Sequence, residues 1–216
     1  MDAPHVTEKT SSPAAPPAEA GGGPKLILAS RSPRRIELLR EAGFAFEIDP
    51  ADVDETVPHD TAPDAAARDL ALRKAHVVAR RHPDDIVLAA DTVVALGTEI
   101  LGKADDAAHA KQILSKLAGT THLVLTGVCV MCRTLNLRLL DVVTSTVSMR
   151  ALTDAELDAY VATGLWEGKA GAYGIQDNDP FVTRMDGSHT NIVGLPMERT
   201  VEMLAEAGVR AGRPAT

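Results

Sequence analysis

Leu26-Ile27-Leu28-Ala29-Ser30-Arg31-Ser32-Pro33-Arg34-Arg35 joins an apolar run to a hydroxyl-rich, basic turn at the point where a strand hands over to a helix. Ser32 suits an N-cap and Pro33 the first helical position, so the spacing predicts a helix over Pro33 to Glu41, closed by Gly43. The unpartnered N–H groups and partial positive charge at such a helix start, with forked arginine donors beside them, make a seat for phosphate. A capped surface helix with solvated arginines has the same local signature.

Outward from this unit, apolar runs and helical periodicities alternate, which argues an α/β fold. Strands are expected at Lys25 to Ala29 and Phe44 to Ile48, and a long helix at Pro63 to His82, closed by His82-Pro83. Ile86 to Ala90 reads as a buried strand ending on Asp91, followed by a hairpin of Val93 to Leu96 and Glu99 to Leu101. A helix over Asp106 to Leu117 precedes two long strands, Leu123 to Met131 and Leu137 to Met149, whose short connection makes them antiparallel and the sheet mixed. Thr153-Asp154-Ala155-Glu156 is a capping box. Strands around Phe181 to Arg184 and Asn191 to Val193, and a last helix over Pro196 to Ala207, complete the pattern.

The chain has 216 residues, 45 % of them hydrophobic, enough for one domain or two small lobes around a substantial core. A net charge of −8 and an aromatic content of 3 % argue against a general nucleic-acid or anionic-membrane binder. No apolar stretch reaches bilayer length and the N-terminus lacks a signal core, so the expectation is a cytoplasmic protein. Residues 1–24, rich in Pro, Ala, Ser and Gly, read as a disordered extension, and residues 209–216 as a flexible tail. Cys129 and Cys132 have a redox or zinc spacing, but on a strand they face opposite ways and no second ligand pair accompanies them. They read as structural thiols.

Asp91, at the carboxyl end of its expected strand, stands where open α/β sheets place ligands, and could bind Mg²⁺ or activate water. Thr92 adds a hydroxyl. Asp52, Asp54 and Glu55 offer oxygen ligands for a hard divalent ion, although such a cluster is commonly a solvated loop. Lys74, Lys103 and Lys169 are candidate anion contacts, and Gln176, after a Gly-rich loop, could read a base edge with its amide.

Jointly, Leu-Ala-Ser-Arg-Ser-Pro-Arg-Arg (28–35), Asp-Val-Asp-Glu-Thr (52–56), Arg-Lys-Ala (73–75), Ala-Asp-Thr-Val-Val (90–94), Gly-Lys (102–103), Lys-Ala-Gly-Ala-Tyr-Gly-Ile-Gln (169–176) and Val-Gly-Leu-Pro (193–196) closely resemble the Maf family of nucleotide pyrophosphatases. The resemblance covers residues 25–208. It implies a long, curved mixed sheet, similar to that of inosine triphosphatase, with flanking helices forming two lobes around a central cleft. It further implies hydrolysis of a nucleoside triphosphate to the monophosphate and pyrophosphate with a divalent metal cation, Mg²⁺ or Mn²⁺. On that resemblance Asp91 is the proton acceptor for the attacking water or a metal ligand, and Glu55 helps hold the metal. Ser30, Arg35, Lys74, Lys103 and Lys169 would surround the phosphates. Arg34, Thr92 and Gln176 match the subgroup acting on dTTP and UTP, the alternatives being the sister 7-methyl-GTP specificity or a non-catalytic nucleotide sensor regulating division. A homodimer is implied by the resemblance alone. Two departures stand out: Ala104 follows Gly102-Lys103 where the family has Pro, and Asp177-Asn178-Asp179-Pro180 follows Gln176 where it has a Gly and apolar residues.

Overall fold

The computed structural model of the protein describes residues 23–175 and 181–212. Gln176, the altered segment 177–180, most of the expected N-terminal extension and residues 213–216 lie outside the described residues. In chain order the elements are β1 (Leu26–Leu28), α1 (Pro33–Glu41), β2 (Glu47–Ile48), α2 (Pro63–Arg81), β3 (Ile86–Leu96), β4 (Glu99–Leu101), α3 (Ala107–Leu117), β5 (Thr121–Cys132), β6 (Leu137–Met149), α4 (Asp154–Ala162), β7 (Val182–Asp186), α5 (His189–Val193) and α6 (Met197–Glu206). The strands form one seven-stranded mixed sheet in the order β2-β1-β3-β5-β6-β7, with β4 added to β3. β1 pairs in parallel with β2 and β3, and every other pairing is antiparallel. Among the described residues no helix is long and apolar enough to cross a membrane.

The decisive feature lies along β3. One edge is occupied by β5 from Val87 to Ala95. The other is shared: β1 pairs with Ile86 to Leu88 and β4 with Val94 to Leu96. Between them, Ala89 to Val93 have no strand partner on that edge among the described residues. The strand expected to stop at Asp91 therefore runs straight through it, and the expected hairpin is its far end turning into β4.

Side-chain alternation along β3 shows why the gap divides the molecule. On one face Ile86, Leu88 and Ala90 join a core with α1 and α6, while Val94 joins a second core with α3 and α4. Thr92 sits between them. On the face covered by α2, Val87 and Ala89 belong to one apolar cluster and Val93 and Ala95 to another, with Asp91 between. β5 repeats the interruption in register, with Gly127 opposite Asp91 and Thr126 opposite Thr92. A polar band thus crosses the sheet and separates two apolar halves.

Other expectations hold or shift for local reasons. The capping box of α4 is present, Thr153 Oγ1 accepting from the Glu156 N–H while Glu156 accepts from the Thr153 N–H. Asn191 to Val193 is not a strand but the short helix α5, because Ser188 caps it by accepting the Asn191 N–H and Gly194, at φ 125°, ends it. The strand expected from Phe44 shrinks to β2, since Phe44 turns into the core under α1. Cys129 and Cys132 are free and buried in cores on opposite faces, and burial pushes the Cys129 thiol up to about 12.

α2 crosses the sheet on small residues, with Ala66, Ala67, Ala71, Ala75 and Ala79 all buried. The approach is so close that a Cβ on Gly127 would lie 2.1 Å from the Ala67 carbonyl oxygen. Gly127→Ala must push the helix outward, and such overpacking against backbone costs about 3 kcal/mol. We expect chemical denaturation to show that loss; an unchanged midpoint would mean that α2 does not depend on this contact.

Candidate active site

The gap along β3 opens into a cleft of about 630 Å³. Asp91 and Lys74 meet at its base, both only 7 % exposed, joined by a direct hydrogen-bonded ion pair. Lys74 comes from the middle of α2, which Gly127 allows close enough for the ammonium to reach β3. The same ammonium binds Glu55 Oε1 at 2.7 Å, and Glu55 Oε2 takes Lys103 Nζ at 2.8 Å. The chain Lys103–Glu55–Lys74–Asp91 therefore ties the loop after β2, the region after β4, α2 and β3 together. Burial works to raise the Glu55 carboxyl, but the Lys103 and Lys74 ammonium groups outweigh it and hold it at about 2.

Arg35, from the first turn of α1, is largely committed to the protein itself. Its Nε donates to the Gly194 carbonyl at 2.7 Å, Nη1 to the Ala90 carbonyl at 2.8 Å and to Ser30 Oγ at 3.4 Å, and Nη2 to Thr92 Oγ1 at 3.1 Å. Arg35 thus fills part of the unpaired β3 edge and fastens α1 to the turn before α6. Ser30 Oγ also accepts the Ser32 N–H at 3.2 Å, which shapes the turn ahead of α1. Arg34 lines the cleft half-buried, with no ion pair among the described residues, and burial pulls its guanidinium below its ordinary value.

Lys169 enters from the opposite wall, 8 % exposed, on a loop that begins at Gly168 with φ 67°. Ala170 bridges to Lys103 in antiparallel fashion, and the Gly171 N–H reaches the Leu101 and Gly102 carbonyls at 3.2 and 3.0 Å. The structure thus brings together Ser30, Arg34, Arg35, Glu55, Lys74, Asp91, Thr92, Lys103 and Lys169 around one cleft. Asp52 lines it as well, whereas Asp54 turns aside to accept the Thr56 N–H.

Sequence reading missed the groups that hold these residues. Tyr173, on the Lys169 loop and at the cleft, pairs its hydroxyl with Nε2 of the fully buried His122 at 2.8 Å, and burial lowers the His122 imidazole to about 4. Thr126 and Asn191, both wholly buried, support Thr92 and α5 from below. The signal available was a polar residue inside each apolar run.

The cationic side of the cleft suits a polyphosphate. Glu55 and Asp91 are hard oxygen donors converging on one ammonium. That donor set fits a Mg²⁺-like ion, which commonly takes one or two carboxylates and fills its remaining positions with water and substrate phosphates.

The sequence matches the family described as Maf-like protein over residues 25–207. It is 47 % identical over 190 residues to a dTTP/UTP pyrophosphatase of Caulobacter vibrioides, covering 87 % of this chain and 98 % of that one. A dTTP/UTP pyrophosphatase of Anaeromyxobacter dehalogenans (strain 2CP-1) is 50 % identical over 188 residues, 86 % and 95 % of the two chains. Among solved structures, a HAM1 protein from Coxiella burnetii aligns with a TM-score of 0.47 and 17 % identity over 85 % of this chain and 99 % of that one.

The depressed Glu55 carboxyl has a defined consequence for stability. Above pH 4.5 it is ionised both folded and unfolded, and its contribution is fully present; as pH falls from 4.5 toward 2 the unfolded chain binds the proton first and the contribution is lost. Thermal unfolding against pH should therefore fall more steeply across that window in the wild-type protein than in Glu55→Gln. Parallel profiles would show that the two lysines do not hold this carboxylate.

Proposed function

The chain belongs to the Maf family, and on that membership together with the cleft we propose that it is a nucleoside triphosphate pyrophosphatase acting on dTTP and UTP. It is a hydrolase of nucleotide metabolism, cleaving the anhydride between the α and β phosphates to leave the monophosphate and pyrophosphate. The observation that carries this reading is the Asp91 carboxylate, buried beside Lys74 at the floor of a cleft also lined by Arg31, Arg34, Arg35, Lys103 and Lys169.

The triphosphate lies across the cationic side, where Lys74, Lys103 and Lys169 face its oxygens. Fixed positive charge in a partly dry site stabilises negative charge forming on the leaving pyrophosphate, which is the largest contribution to such reactions. Asp91 accepts the proton of the attacking water. Its position between α2 and an unpaired strand edge leaves one side open to the cleft. Glu55 and Asp91 would hold a divalent cation that arrives with the phosphates. When bound, the ion offsets phosphate charge and polarises the phosphorus–oxygen bonds. Arg35 and Ser30 act one step back, shaping the turn against which the phosphates rest. Arg34, Thr92 and Gln176 select the nucleotide.

Pyrophosphate release should be fastest from dTTP and UTP, require Mg²⁺ or Mn²⁺, and fall about a thousand-fold in Asp91→Asn, the size expected for losing a general base. Turnover chiefly of 7-methyl-GTP would overturn the specificity. Saturable triphosphate binding without release of pyrophosphate would leave a sensor in place of an enzyme.

A further inference from the structure

Alternation along β3 gives the cleft two chemically different sides. Asp91 faces α2 and Lys74; Thr92 faces the other way, beside Val94, with Val124 and the α5 residues Ile192 and Val193 as neighbours on the cleft wall. The first side is charged and suits phosphate. The second carries Thr92 and the Arg35 guanidinium, which is committed to Thr92 and to the Gly194 and Ala90 carbonyls, beside an apolar wall of Val94, Val124, Ile192 and Val193 that suits the flat ring of a base.

What Thr92 presents to that ring follows from a count of hydrogens. A threonine hydroxyl has one hydrogen and two lone pairs. Thr126, 0 % exposed, donates its hydrogen to the Asn191 carbonyl at 3.1 Å. With that hydrogen committed, the 2.9 Å contact takes Thr92 as its donor, in preference to the longer 3.4 Å approach of Thr92 Oγ1 to the Gly194 carbonyl. Arg35 Nη2 donates to one lone pair of Thr92. The hydrogen of Thr92 is therefore turned inward, and what remains toward the cleft is a single acceptor lone pair. Asn191 keeps the acceptor beneath Thr126 in place, because its Nδ2 is anchored to the Val124 carbonyl at 3.0 Å and to Ser145 Oγ at 2.9 Å.

We propose that buried Thr126 is a specificity-determining residue: by taking the Thr92 hydrogen it makes Thr92 an acceptor that recognises the N3–H of uracil and thymine and rejects the lone pair that cytosine carries at N3. This deepens, and rests on, the reading of the protein as a dTTP and UTP pyrophosphatase. Thr126 never touches the nucleotide and acts as a positioning residue through Thr92. The sugar 3′-hydroxyl, also a donor, is common to all three pyrimidine nucleotides and cannot discriminate among them.

The test measures kcat/KM for dTTP, UTP and CTP in the wild-type protein, Thr126→Val, Thr126→Ala and Thr126→Ser, with thermal midpoints to establish that each is folded. In the Val and Ala variants the Thr92 hydrogen loses its acceptor. Among the described residues the other acceptor beside it is the Gly194 carbonyl, a longer contact at 3.4 Å that Arg35 Nε also occupies. The hydroxyl is then able to turn outward and donate. The preference for dTTP and UTP over CTP should fall about tenfold in both variants, the size of one buried hydrogen bond, while Thr126→Ser retains it. A purely structural role would lower turnover of all three alike. If Thr126→Val does not fold, Thr126→Ala reads the same ratio. An unchanged ratio in a folded Val or Ala variant overturns the proposal, whereas a wild-type protein that turns over neither dTTP nor UTP overturns the activity itself.

Discussion

The ion pair of Lys74 with Asp91 is the contact around which the rest of the molecule is arranged. An isolated carboxylate near the middle of a buried strand would be strongly disfavoured, and an isolated ammonium in the middle of a packed helix equally so. Each is tolerated because the other is there. Their meeting requires α2 to lie unusually close to the sheet, which its alanines and Gly127 permit. It also requires β3 to be left bare beside Asp91, which the sharing of one edge between β1 and β4 provides. Removing one partner of such a pair commonly costs several kcal/mol, because the other stays buried and unbalanced.

Stability and function draw on this arrangement in different ways. The two apolar halves of the sheet each have their own helices and are joined through β3, β5 and β6, across a band where Asp91, Thr92, Thr126, Gly127 and Ser145 replace apolar side chains. Such a band weakens a continuous core. It also creates a cleft whose floor is rigid sheet and whose walls are the turn before α1, the Glu55 loop, the Lys169 loop and the end of α5. Asp91 and Lys74 thus sit on regular elements, while Glu55, Lys103 and Lys169 come from connections.

Much of this was legible in the residues. Pro33 after Ser32 marked the start of α1, the Thr153–Glu156 capping box marked α4, and the long apolar runs marked β5 and β6, because those signals are local. Asp91 was read as a strand end, since nothing nearby in the sequence reveals that Lys74 will neutralise it from another element. Arg35 read as a phosphate ligand, and only the fold reveals the Gly194 and Ala90 carbonyls that occupy most of its donors. Thr126 carried little signal because threonine is an ordinary strand residue; its meaning depends on which hydroxyl lies across from it. α5 was misread although Ser188 offered a cap, since an apolar tripeptide between loops has no resolvable period.

The most direct measurement is a crystal structure of Asp91→Asn with dTTP and Mg²⁺. The triphosphate should lie against Lys74 and Lys103 on the α2 side of β3, and the thymine beside Thr92 with its N3–H toward the threonine oxygen. A base on the α2 side, or phosphates against α5, would contradict the division of the cleft by β3 on which the account rests.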